Sequence, residues 1–161
     1  MASQSINISR RQLFTRKKTS ETPHLPWAKE DRFTDMCTQC GACIKNCPEH
    51  IIQIGDGGFP VVDFQKGECT FCYQCAEVCP EPLFFPKHEP AWTAKASIQH
   101  TCLAKQNVEC RSCGEMCETQ AIRFKLAVGV VAQPYIESED CNGCGACVSV
   151  CPTDAIQIKL T

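Results

Sequence analysis

The chain has 161 residues, a formal charge of −2 and sixteen cysteines. With the cysteines set aside, only about a third of the residues are apolar, too few for a core that stands without cross-links. The acidic balance argues against nucleic-acid binding, which calls for a basic footprint, and no run reaches the eighteen or so apolar residues of a membrane-spanning helix.

Residues 1–30 form an arm and connector of their own composition. The first twenty residues carry Arg10, Arg11, Arg16, Lys17 and Lys18 and no acid. Ser9-Arg10-Arg11-Gln12-Leu13-Phe14 matches the start of a twin-arginine export signal. The apolar stretch such a signal needs does not follow, because Thr15-Arg16-Lys17-Lys18-Thr19-Ser20-Glu21 is polar and charged. The arm is therefore expected to stay uncleaved on a cytoplasmic protein, either solvated or recognising a partner through Arg10 and Arg11. Pro23, Pro26 and Trp27 mark a connector, with Trp27 expected to anchor it to the body.

Residues 31–90 hold two copies of one motif. Cys37-Thr-Gln-Cys40-Gly-Ala-Cys43-Ile-Lys-Asn-Cys47-Pro48 and Cys69-Thr-Phe-Cys72-Tyr-Gln-Cys75-Ala-Glu-Val-Cys79-Pro80 both have the spacing C-x2-C-x2-C-x3-C-P, with which bacterial ferredoxins hold [4Fe–4S] clusters. Three cysteines wrap a tight loop around a cluster corner, and the fourth, one helical turn on, faces away. Between the motifs, Ile51–Ile54 and Phe59–Phe64 read as strands joined by Gly55-Asp56-Gly57-Gly58. Leu83-Phe84-Phe85 reads as a closing apolar run, and Pro80, Pro82, Pro86 and Pro90 as the boundary between halves.

Residues 91–161 repeat the plan. Ala96–His100 is an expected strand leading to Cys102, which is followed by seven residues and then Cys110-Arg-Ser-Cys113-Gly-Glu-Met-Cys117-Glu118. This third motif has a stretched first gap and glutamate in place of proline. A strand is expected over Ala121–Phe124, and Val128–Val131 turns into Gln133–Ile136, the approach to the last motif. Cys141-Asn-Gly-Cys144-Gly-Ala-Cys147-Val-Ser-Val-Cys151-Pro152 closes the chain with the regular spacing. The fold class is thus α+β: two tandem two-cluster ferredoxin units, each βαββαβ, behind an extended basic arm.

Four quartets use all sixteen cysteines. Zinc is the competing metal, but its sites pair two C-x2-C knuckles about 15–20 residues apart or mix cysteine with histidine. Here the third cysteine follows at once, and His24, His50, His88 and His100 share no motif. Because the fourth cysteine of a motif serves the neighbouring cluster, cross-ligation assigns Cys37, Cys40, Cys43 and Cys79 to a first cluster. Cys69, Cys72, Cys75 and Cys47 take the second. Cys102, Cys110, Cys113 and Cys151 take the third, and Cys141, Cys144, Cys147 and Cys117 the fourth. Each filled site adds roughly −2, taking the loaded protein to about −10, which suits partners with a positive docking patch. Phe71 and Tyr73, flanking Cys72, are expected to shield a cluster from water. No nucleotide loop, nucleophile motif or flavin fingerprint occurs, so the chain reads as an electron carrier or accessory protein, not an enzyme.

These residues resemble the NapF family, ferredoxin-type proteins that accompany periplasmic nitrate reductase. The resemblance runs through Ser9-Arg10-Arg11, Pro26-Trp27, Gly57-Gly58-Phe59-Pro60 and Glu68-Cys69-Thr70-Phe71-Cys72-Tyr73. It continues through Pro86 and Ala91-Trp92 to Val108-Glu109-Cys110-Arg111 with its stretched gap. It implies a cytoplasmic iron–sulfur protein that binds the catalytic molybdoenzyme subunit of periplasmic nitrate reductase before export and assists its maturation, together with an electron donor. The alternatives are a general multi-cluster carrier between a soluble reductase and a redox enzyme, and an electron-input subunit of a larger complex.

Overall fold

A computed structural model describes residues 25–160. The basic stretch with Arg10 and Arg11 lies outside the described residues. Regular structure is short throughout, as expected where turns and cysteine loops take up the chain. One-turn helices α1 (Phe33–Met36), α2 (Ala42–Lys45) and α3 (Gln74–Glu77) lie in the first half, with strands β1 (Ile52–Ile54) and β2 (Pro60–Val62) between α2 and α3. The second half runs β3 (Lys95–Ile98), α4 (Ser112–Glu115), β4 (Ile122–Ala127), β5 (Val130–Ile136), α5 (Ala146–Ser149) and β6 (Ile156–Lys159).

Three antiparallel ladders result. β1 pairs with β2 from Ile52 opposite Val62 to Ile54 opposite Pro60. β4 pairs with β5 from Ile122 opposite Ile136, with a register shift between Lys125 and Ala127. β3 and β6, the first and last strands of the second half, pair from Lys95 opposite Lys159 to Ile98 opposite Ile156. Alternation places Ile156 and Ile158 inward while Gln157 faces out. The hairpin between β1 and β2 turns through Asp56–Gly58, where Gly57 and Gly58 take left-handed φ of 68° and 83°.

Among the described residues the first half lacks the outer ladder that the second half has. Leu83-Phe84-Phe85, read as a closing apolar run, contributes one isolated bridge, Phe84 to Ala28. Pro80, Pro82 and Pro86 on one side and Pro26 on the other remove the donors a longer ladder would need. Two bonds flank that bridge: Lys29 N–H donates to the Leu83 carbonyl at 2.8 Å and Phe85 N–H to the Trp27 carbonyl at 2.8 Å. Trp27 N–H also donates to the Ala91 carbonyl. The proline-rich segment therefore doubles back over the chain entry and does not run free between halves.

One apolar cluster serves both halves. Leu25, Phe33, Ile52, Phe64 and Leu83 from the first share it with Ile122, Val148, Ile156 and Ile158 from the second. Cys47, Cys75, Cys113 and Cys147 are buried in the same cluster. Among the described residues no polar or charged side chain is buried. Sulfur is the reactive element that the core encloses.

Candidate metal centres

Three of the four cysteine loops are built from a repeated backbone device. Two residues after the first cysteine, Gln39, Phe71 and Gly143 take left-handed φ of 57°, 52° and 75°. One residue after the second, Gly41, Tyr73 and Gly145 do so again at 73°, 77° and 86° and open α2, α3 and α5. These reversals turn the chain tightly enough for three cysteines to face one point. A third left-handed residue, His50, Gln120 or Asp154, follows the last cysteine by three, at 53°, 54° and 50°. Gln120 keeps this conformation although Glu118 stands where the other motifs have proline.

The third motif departs at its start. Arg111, after Cys110, sits at φ −134°. The seven residues between Cys102 and Cys110 fold into a 3-10 turn, Ala104–Gln106, closed by left-handed Asn107. Gln106 N–H donates to the Cys102 carbonyl at 3.1 Å and Val108 N–H to the Leu103 carbonyl at 2.9 Å. Ala104 is fully buried, and its carbonyl accepts from Gln133 Nε2 on β5 at 2.7 Å. The insertion is thereby a compact knot that returns Cys110 to the side of Cys102.

None of the sixteen cysteines is joined in a disulfide, and they line four cavities, one quartet to each. Cys37, Cys40, Cys43 and Cys79 line the first cavity. Cys47, Cys69, Cys72 and Cys75 line the second, with Trp27, Phe71 and Tyr73 in its wall. Cys102, Cys110, Cys113 and Cys151 surround the third, and Cys117, Cys141, Cys144 and Cys147 the fourth. In every cavity three cysteines come from one motif and the fourth from its partner motif. A single zinc ion draws its ligands to about 2.3 Å. Among the described residues no three Cys, His, Asp or Glu converge in that way. The thiols instead ring a void, which suits a cluster of several metal ions.

The electrostatics also fit a cationic group. Burial pushes Cys69, Cys75 and Cys147 up to about 12, and Cys43 and Cys113 to about 11. Burial raises Cys79 and Cys144 as well, and neighbouring thiolates of the same quartet add repulsion. Such groups ionise together only when positive charge fills the space between them. Cys117 is the exception: burial is outweighed by the Thr119 hydroxyl and by backbone N–H groups of residues 119, 121 and 122, which lower it. Backbone donors reach sulfur elsewhere too, with Ala155 N–H 3.2 Å from Cys151 Sγ and Ala96 N–H 3.5 Å from Cys141 Sγ. These bonds favour the thiolate and would raise a bound cluster's potential.

Aromatic side chains cover the second cavity. Trp27, only 5% exposed, meets Tyr73 edge to face at 5.0 Å and Phe71 at 6.2 Å. Its indole N–H donates to the Glu89 carbonyl at 2.8 Å. The Tyr73 hydroxyl donates to the Phe85 carbonyl at 2.8 Å, tying this loop to the proline-rich strap. Trp92 and Phe64, which the motifs did not single out, extend the set: Trp92 lies 5.9 Å from both Phe71 and Phe64. No local pattern marks such a contact, since its partners come from distant segments. His50, His88 and His100 line none of the four cysteine cavities.

Two family models, each described as a 4Fe-4S dicluster domain, match residues 36–83 and 108–155. Ferredoxin-type protein NapF of Escherichia coli (strain K12) is 46% identical over 154 residues, covering 94% of both chains. Ferredoxin-type protein NapF of Haemophilus influenzae is 47% identical over 135 residues, covering 83% of this chain and 77% of its own. The methylamine utilization ferredoxin-type protein MauM of Methylophilus methylotrophus is 28% identical over 149 residues, covering 81% and 66%.

Proposed function

This chain belongs to the NapF family of ferredoxin-type proteins, and from that premise we propose that it carries four [4Fe–4S] clusters and serves maturation of a redox enzyme. The observation that carries the reading is that each of four cavities is lined by four cysteines, three from one motif and one from another. Cys37, Cys40, Cys43 and Cys79 would hold the first cluster, and Cys69, Cys72, Cys75 and Cys47 the second. Cys102, Cys110, Cys113 and Cys151 would hold the third, and Cys141, Cys144, Cys147 and Cys117 the fourth. Each cluster, when bound, supplies one-electron redox chemistry. The protein fixes the thiolates, excludes water with Trp27, Phe71 and Tyr73, and points N–H groups at sulfur. In this reading both halves are βαββαβ ferredoxin units, at 31–90 and 91–161, the first closed by a single bridge from Phe84 to Ala28 of the connector.

The client is the catalytic molybdoenzyme subunit of periplasmic nitrate reductase, met in the cytoplasm before export. Two features support this: the family resemblance, and thiol chemistry that requires a reducing compartment. The basic arm, with Arg10 and Arg11, would steer docking in one orientation, an attraction that salt weakens. The test has two parts. Protein prepared without oxygen should hold iron and acid-labile sulfide near sixteen per chain, about four of each per site; zinc without sulfide would sink the reading. Arg10→Ala with Arg11→Ala should reduce co-purification of the client while the iron count stays. Full client activity in cells lacking this protein would favour the general carrier instead.

A further inference from the structure

The four cavities are not two separate pairs. Cys69 N–H, in the loop of the second cavity, donates to the carbonyl of Cys144, in the loop of the fourth, at 2.8 Å. Beside that bond the Phe64 ring of the first half lies so close to Gly145 that a Cβ there would run into it. Phe64 is 6% exposed and meets Trp92, whose indole N–H donates to the Asn142 carbonyl of the fourth motif at 2.9 Å. Asn142 Oδ1 in turn accepts from Cys144 N–H at 3.1 Å. Gln65 Nε2 adds another link between halves, to Asp154 Oδ1 at 3.1 Å. Within the halves, α2 lies against α3 and α4 against α5, so the first cavity adjoins the second and the third adjoins the fourth.

We propose that the Cys69–Cys144 contact, seated by Phe64 on Gly145, is an electron-transfer junction that orders the sites first–second–fourth–third. This rests on the cluster reading above and deepens it. Spatial order then differs from chain order, because the second half is docked through its last motif. An electron from an external low-potential one-electron donor enters at one end quartet and leaves to an external acceptor at the other. At the junction one electron crosses; the donor side is oxidised by one, the acceptor side reduced by one, and no atom or proton moves. The hydrogen-bonded peptide joins the ligand loops directly, and the Phe64 and Trp92 rings pack beside it. Cys40, the one exposed cysteine, belongs to the first quartet. That quartet is the accessible end of the row.

The test uses full-length protein loaded without oxygen and reduced with dithionite. Cys40→Ala with Cys110→Ala disables the first and third sites and leaves the second and fourth, one in each half. Paramagnetic resonance of that variant should show a spectrum broadened by spin coupling. Cys72→Ala with Cys144→Ala, which leaves the two ends, should give two independent signals. Phe64→Ala removes no ligand and should lessen the broadening in the four-cluster protein at unchanged iron content. Additive signals from the first variant, or broadening unaltered by Phe64→Ala where that variant does not load, would overturn the junction. With iron and sulfide still at full count, that result would leave the cluster reading standing. Zinc in place of iron would discard both.

Discussion

Gly41 and Gly145 occupy the same place in the first and last motifs, and both are left-handed, yet their surroundings differ. A Cβ on Gly41 meets nothing within 4 Å, whereas one on Gly145 would collide with the Phe64 ring. Gly41→Ala should therefore cost only the left-handed backbone term, about 1 kcal/mol. Gly145→Ala should cost that plus overpacking of about 1–3 kcal/mol. Unfolding midpoints of the loaded variants check this, with equal shifts counting against a packed junction. Tyr73 holds the corresponding position in the second motif at φ 77° with a full side chain. Its backbone strain is offset by the Trp27 ring and by the hydroxyl bond to Phe85. Tyr73→Phe should lose about 0.5–1.5 kcal/mol, read by the same melting comparison. Loss of the second site's iron on gentle chelation should quicken alongside.

Among the elements, the stretched Cys102–Cys110 gap shows what was legible and what was not. The spacing C-x2-C-x2-C-x3-C identifies loops without any alignment because the cysteines themselves mark the geometry. Expected strands at Ile51–Ile54 and Ala121–Phe124 also fall close to β1 and β4, since short apolar runs follow each Cys-Pro or Cys-Glu turn. The fold of the insertion could not be read, because its key bond comes from Gln133, nearly thirty positions on. The first half's missing outer ladder was likewise hidden, although its prolines carried the signal. Phe64 against Gly145 is a contact between halves with no periodicity to announce it. The insertion's own prediction follows from Gln133 Nε2, which satisfies the Ala104 carbonyl at 2.7 Å. Gln133→Leu leaves that buried oxygen without this donor, at about 1–3 kcal/mol. Chelator-driven release should then remove about four irons, one site's worth, sooner than the remainder. Simultaneous loss from all sites would mean that the turn is not what holds Cys102 and Cys110 together.

At the scale of the molecule, one apolar cluster spans both halves, and four of its buried members are cysteines of the proposed sites. So few apolar residues surround them that the metal must act as cross-link as well as carrier. Stripping iron from the protein should abolish its cooperative unfolding transition and most of its circular dichroism, since the short ladders and one-turn helices have little to hold them otherwise. The halves should also depend on one another. Cys47→Ala removes a thiol of the second cavity, in the first half, and Cys117→Ala its counterpart in the fourth, in the second half. If the halves were separate beads, each variant would speed chelation of the remaining sites only within its own half. Because Phe64, Trp92 and the Cys69–Cys144 bond join the second and fourth loops, Cys47→Ala should hasten iron loss from the fourth site more than from the third. The same junction should carry the effect of Cys117→Ala back to the second site ahead of the first. Site-resolved release rates, followed by resonance signals in each variant, decide between the two patterns. A response confined to one half would show that the shared core is mere contact without mechanical coupling.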